Sequence, residues 1–289
     1  MLARPNFLSM RTYAPLLIAA LLGACAVTPP ACVPPGQWVS PGTLHRLTDP
    51  VPASGSRPVV LLGEQHDSAA DHSWELDTVK RLAAANPSLV LGFEMFPREA
   101  QPALNDWVSG RLSEAAFLKN TDWARFWGFP PELYLPIFRF ARDHHIPMIA
   151  LNVSHRLVHL TAQGGFAAVP TSDREGIGVP APPSTAYRAD LAEAMAGHGG
   201  PAMTPSRLDH FIDAQLVWDR AMAEAIAAQR ARAPGRQVVA LMGAGHLEHR
   251  YGVPHQLEAL GIPGALVLLP AYRLCAPEGG DYADAVYVE

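Results

Sequence analysis

Four residues of a type that does chemistry follow three apolar runs in this chain. Pro58-Val-Val-Leu-Leu-Gly-Glu-Gln-His66 ends in Glu64 and His66, Ser88-Leu-Val-Leu-Gly-Phe-Glu94 ends in a carboxylate, and Gln237-Val-Val-Ala-Leu-Met-Gly-Ala-Gly-His246 repeats the Gly-x-x-His ending. Two imidazoles with one or two carboxylates can bind a divalent metal and leave a position open for water, or without a metal can deprotonate and orient a water. A glutamate after a buried strand costs several kcal/mol unless it is paired or ligating, which favours a role; capping of the helix start before Pro97-Arg-Glu-Ala is the alternative. The chain has no Gly-x-Ser-x-Gly nucleophile elbow and no His-Glu-x-x-His zinc motif.

The elements that must position these residues are strands of a mostly parallel sheet flanked by helices. Short apolar runs bounded by Gly and Pro, alternating with helical patterns, predict an α/β fold with strands at 59–62, 88–94, 146–152, 238–242 and 265–269. Ligands collect at the carboxyl edge of such sheets, and Asn152 and His155 fall there as well. Helical character is expected over 71–85, with Trp74, Leu76, Val79 and Leu82 inward, and over most of 98–143. That second stretch carries Trp107, Phe117, Trp123, Phe126, Trp127 and Phe129, a density that reads as core or lid. His144 and His145 close a helix at the opposite end, where a cation is favoured. From Pro205 to about Arg230 runs the longest helix, with Leu208, Phe211, Gln215, Trp218, Met222 and Ala225 on one stripe and Asp219 as a polar partner for Gln215.

Composition fits one folded domain: 289 residues, 49% hydrophobic and 17% charged. The formal net charge is -5, and without Arg4 and Arg11 the balance is 20 basic against 27 acidic residues, which argues against nucleic acid as a partner. Residues 1–24 read as a signal peptide. Arg4 and Arg11 precede an apolar run from Ala14 to Leu22 that is too short to span a membrane, and Leu22-Gly-Ala-Cys25 resembles a bacterial lipobox. Acylation of Cys25 would hold the protein at a membrane outside the cytoplasm. Ala26, in place of an inner-membrane retention aspartate, leans toward the outer membrane. Residues 25–54, rich in proline, read as an extended tether before an α/β domain at 55–289. In an oxidising compartment Cys32 and Cys275 can close a disulfide that pins the two ends; a free pair is the alternative.

A helical and loop insertion is expected at about 155–204, long enough to be functional. Its one short helix, Tyr187 to His198, sets Tyr187, Leu191, Met195 and His198 on one face.

Taken in order, Gly63-Glu-Gln-His66, Gly92-Phe-Glu94-Met, Ile149-Ala-Leu-Asn152, Ala214-Gln-Leu-Val-Trp-Asp219-Arg-Ala-Met-Ala223 and Gly243-Ala-Gly-His246, on a lipoprotein leader, resemble the ChaN family of haem-binding lipoproteins over roughly residues 55–270. That family sits in a superfamily with the Tiki-type metalloproteases and the erythromycin esterases. The resemblance implies haem handling in iron uptake with an envelope haem-uptake machinery, a tyrosine on the iron, polar residues on the propionates and a homodimer. A hard tyrosinate oxygen suits ferric haem. Tyr187 is the expected ligand with His198 as its neighbour, and Tyr134 is the second candidate. The superfamily also implies that His66, Glu94, His246 and Glu64 occupy positions that carry catalysis or metal in its hydrolases.

Overall fold

The computed structural model describes residues 32–197 and 204–289. Cys25, the leader and His198 lie outside the described residues. The chain from Cys32 to Glu289 forms one compact unit.

In chain order the elements are β1 (Gln37–Val39), β2 (Val59–Glu64), α1 (Ala69–Ala85), β3 (Leu89–Pro97), α2 (Gln101–Val108), α3 (Glu114–Asn120), α4 (Trp123–Phe126), α5 (Pro131–Asp143), β4 (Met148–Asn152), α6 (His155–Gly164), α7 (Thr185–Gly197), α8 (Pro205–Arg232), β5 (Gln237–Gly243), α9 (Val253–Ala259), β6 (Leu266–Ala271) and β7 (Ala285–Val288). The sheet runs β1-β7-β6-β2-β5-β3-β4, and only β1 is antiparallel to its neighbour. Every residue of β2, β3 and β5 is buried, as a parallel sheet covered on both faces demands. One face packs the aromatic block of Phe93, Phe96, Trp107, Phe117, Trp123 and Phe138, with ring centroids mostly 4.7–6.1 Å apart in edge and tilted contacts. Met222, Ala223 and Ile226 of α8 cover part of the other.

Two strands escaped the reading from pattern. Residues 25–54 were expected as a tether with little structure, yet Gln37–Val39 joins the sheet, with Gln37 opposite Val288. Trp38 and Val39 are buried, and a three-residue run among prolines carries too little periodicity to register. A disulfide joins Cys32 to Cys275 near this edge.

The helices have local causes. Ser68, Ser154 and Thr204 accept the first-turn amides of Asp71, Leu157 and Arg207 at the starts of α1, α6 and α8. Asn86-Pro87 ends α1 and His144 caps α5. The expected stripe on α8 is displaced. Ile212, Leu216, Val217, Asp219, Met222, Ala223 and Ile226 are buried, whereas Leu208, Phe211, Gln215 and Trp218 are half-exposed. A helix that touches α6, α9, β4 and β5 together buries a broader and rotated face than one stripe. The insertion contains α6, two 3-10 turns at 166–168 and 171–173, a proline-rich extended run and α7.

Candidate functional site

Adjacent strands place the chemistry. β5 lies between β2 and β3, so Glu94 borders β5 and not β2. Glu64 pairs in register with Gly243, and Phe93 with Leu241. The two Gly-x-x-His endings therefore leave neighbouring strands side by side. At Gly243 an added Cβ would lie 2.8 Å from His66 Cε1, 3.2 Å from its Nε2 and 3.7 Å from Glu94 Oε2. Only a glycine lets His66 and Glu94 converge there. At Gly63 a Cβ would lie 2.3 Å from Leu269 Cδ2, so this glycine admits β6 packing.

One half of the rim is built on β2 and α1. His66 Nδ1 lies 2.7 Å from Glu64 Oε1 and, facing a carboxylate, must carry a proton. His72 Nε2 lies 3.3 Å from Glu64 Oε2, and His72 Nδ1 is 3.1 Å from Glu75 Oε2. The Tyr134 hydroxyl donates to the His66 carbonyl at 3.2 Å and reaches Glu64 Oε1 at 3.4 Å. Trp127 and Phe129 stand against the His66 ring with centroids at 4.7 and 5.2 Å. The aromatic segment is thus partly core and partly a wall of this cleft. Burial works against the charged forms of His66 and His72, yet neighbouring carboxylates outweigh it and raise both. Burial pushes the Glu75 carboxyl up to about 8.

The other half is built on β3, β5 and α8. His246 Nδ1 lies 2.7 Å from Asp219 Oδ1 and its Nε2 3.4 Å from Glu94 Oε1. Tyr187 donates its hydroxyl to Asp219 Oδ2 at 2.8 Å. Glu94 accepts the Gly243 amide at 2.7 Å, and the Asn152 side-chain amide donates to the Glu94 carbonyl. Burial opposes the His246 charge, but Glu94 and Asp219 together raise it to about 10. Burial likewise opposes the Glu94 charge, and His246 with His66 and the Gly243 amide holds the carboxyl below its usual range.

His66, Glu94, Glu64 and His246 are therefore brought to one rim. They do not form the expected metal centre: among the described residues no cluster of three or more His, Cys, Asp or Glu is arranged to hold an ion. The physical reason is that both nitrogens of His246 face carboxylates, and His66 Nδ1 is committed to Glu64. His155 lies outside the cluster, exposed and stacked on Phe126 at 4.3 Å.

Tyr187 and Tyr134, expected to face an iron, are 4% and 1% exposed. Burial, reinforced by adjacent carboxylates, raises both hydroxyls, which hold their protons against Asp219 and Glu64. Two residues buried behind the rim went unread in the sequence, His72 and Glu75. Their signal was present: positions 72, 75, 79 and 82 trace the inward face of α1, so two polar residues occupy a core stripe.

The insertion forms a separate groove of about 420 Å³ lined by Phe166, Pro180, Pro182, Pro183, Leu216 and Arg174, with Asp213 at its side. Val179, 73% exposed, stands at the same groove. The Arg174 guanidinium lies 4.7 Å over the Phe166 ring.

Comparison with solved structures gives the same architecture. The fold resembles that of ChaN of Campylobacter jejuni, described with cofacial heme binding, at 16% identity over 86% of this chain and 95% of that one, with a TM-score of 0.67. It matches the type III effector HopBA1 at 12% identity over 82% and 90%, TM-score 0.49. An erythromycin esterase mutant, EreC in its open conformation, matches at 10% identity over 74% and 70%, TM-score 0.44. No curated protein matches the sequence. The family model for haem-binding uptake, Tiki superfamily, ChaN, matches residues 53–257. With most of its length inside that model and its strands in the arrangement just described, the chain belongs to the ChaN family of the Tiki superfamily.

Proposed function

We propose that the protein binds haem for haem or iron uptake at the bacterial cell envelope, held to a membrane by acylated Cys25, and works as a homodimer. The observation that carries this reading is the family match over residues 53–257. The leader pattern ending in Cys25 supports the anchor.

The residues present fit the porphyrin body better than they fit an iron–tyrosine bond from Tyr187 or Tyr134. Both phenols are buried hydrogen-bond donors in this conformation. The insertion groove has the size of a small-molecule site, and Phe166, Pro182 and Leu216 offer the apolar contact a porphyrin face needs. Arg174 would meet a propionate there. When bound, the haem supplies an iron for transport. Hemin titration of the leader-free protein, followed by absorption and by sizing chromatography, tests the reading. A saturable Soret band with a doubling of apparent mass is expected. A flat titration would sink it.

A second reading has its own observation. Among the described residues His66 Nε2 is the rim nitrogen without a carboxylate partner, and it converges with Glu94 over Gly243 beside Trp127 and Phe129. In this reading His66 Nε2 takes a proton from water, Glu94 orients that water, and protonated His246 stabilises the negative charge that develops. Turnover of small esters or peptides, lost in His66→Ala, is the expected result; equal rates in both proteins would end this reading.

A further inference from the structure

A buried chain of side chains leads away from His66 into the core, and neither proposed function uses its far end. The junction of β2 and α1 is tied by Asp71, which accepts the Gln65 amide at 2.9 Å, so the start of α1 is fixed against the strand end. From there His72 and Glu75, three residues apart, project along the same helix face. Glu75 is 0% exposed and His72 3%. A glutamate on the inward face of a helix that also buries Val79 and Leu82 adds nothing to packing that a leucine would not. One of its oxygens, Oε1, is buried without a hydrogen-bond partner among the described residues, and the other meets His72.

The geometry assigns directions along this chain. His72 faces Glu75 with Nδ1 and Glu64 with Nε2; the Glu64 carboxylate only accepts, and Glu75 accepts at Oε2 whether it is ionised or carries its proton on the unpartnered Oε1. An imidazolium at His72 hydrogen-bonds Glu75 through Nδ1 and the His66 carbonyl through Nε2 at 3.2 Å, and it sets its charge 3.3 Å from Glu64 Oε2, an oxygen without a hydrogen-bond partner among the described residues. The Tyr134 ring packs 4.2 Å from His72 while its hydroxyl donates toward Glu64. Glu64 is thus held as an acceptor at Oε1 by His66 and Tyr134, with the His72 charge beside its Oε2. Its Oε1 then requires a proton on His66 Nδ1, which leaves the lone pair at Nε2, the nitrogen that looks over Gly243 into the cleft.

We propose that His72 and Glu75 are positioning residues that fix the tautomer of His66 through Glu64, so that Nε2 is the acceptor presented to whatever enters the cleft. The proposal deepens the second reading above by naming what readies its base, but it concerns the protonation site of His66 and stands or falls without any substrate. The contribution is one of orientation: no group of the pair touches the cleft. Its counterpart on the other half of the rim, His246 with Asp219, shares no hydrogen bond with it among the described residues.

Long-range nitrogen–proton NMR correlations of the leader-free protein, labelled at histidine, test this. In the wild type His66 should show Nδ1–H with a bare Nε2, and His72 should show both nitrogens protonated. Glu75→Gln is expected to lower the His66 ratio of Nδ1–H to Nε2–H by about tenfold, the scale of one charged hydrogen bond, while the His246 signals stay in place. An unchanged His66 tautomer in a folded Glu75→Gln protein with a lower Tm would overturn the proposal and leave the pair as packing. Should that variant not fold, the wild-type spectrum decides: a bare nitrogen on His72 breaks the chain and rejects the assignment. Ester turnover measured on the same samples separates the two claims, since a tautomer shift without turnover supports the positioning and removes only the hydrolase.

Discussion

The two Gly-x-x-His endings are alike in sequence and opposite in state. Each histidine sits at the end of a β-strand, holds a carboxylate at 2.7 Å through Nδ1, and has a tyrosine hydroxyl behind that carboxylate. His246 also has a carboxylate on Nε2, its side chain is 12% exposed, and its charge is stabilised up to about pH 10. Among the described residues His66 Nε2 has no carboxylate partner, and its side chain is 31% exposed. The second carboxylate is what makes the difference. It turns one imidazole into a fixed positive charge and leaves its twin able to exchange a proton.

The comparison breaks most visibly at Asp219. Replacing it by Asn leaves the buried His246 cation short of a partner, and a loss of about 3 kcal/mol at neutral pH is expected in urea unfolding. Because the folded pKa of His246, about 10, lies above the unfolded value near 6.5, this stabilisation is complete below pH 6.5 and fades as pH rises toward 10. The gap between wild type and Asp219→Asn should close over that window; a gap that widens would reverse the assignment of charge. Gly243→Ala comes next, since its methyl group meets the His66 ring. A cost of about 2 kcal/mol and displaced His66 resonances are expected, with smaller shifts at His246.

Tyr187→Phe and Tyr134→Phe sharpen the likeness of the halves. Loss of the 2.8 Å bond to Asp219 should cost about 1.5 kcal/mol, and loss of the longer contacts of Tyr134 about 1 kcal/mol. Both variants should still give a Soret band with hemin, and disappearance of the band in either would restore that phenol as iron ligand. The smallest effect separates the rim from the groove. Arg174→Ala should weaken hemin binding by about fivefold, the scale of a half-buried charge contact, while His66→Ala leaves it unchanged.

Much of the fold was legible because a buried parallel strand writes itself as an unbroken apolar run. β2, β3, β4, β5 and β6 are found where such runs occur, and the strand-end position of Glu64, His66, Glu94 and His246 follows from them. β1 and β7 were not, since three and four residues are paired by their neighbours and not by their own pattern. His72 and Glu75 were not legible as site residues because the inward face of α1 is marked by its apolar positions Trp74, Val79 and Leu82, and a polar residue on that face gains its role only from Glu64 on a different element. The rotated burial of α8 followed from contacts with four elements, none of which a local stripe can register.

What this sequence determined alone is the set of strands and the chemistry placed after each, because local burial and residue type are written position by position. Only the tertiary structure decided that β5 enters between β2 and β3, and hence that both nitrogens of His246 meet a carboxylate while one nitrogen of His66 meets none. Strand order is set by packing between segments far apart in the chain, and the protonation of a buried imidazole depends on which carboxylates that order brings within reach.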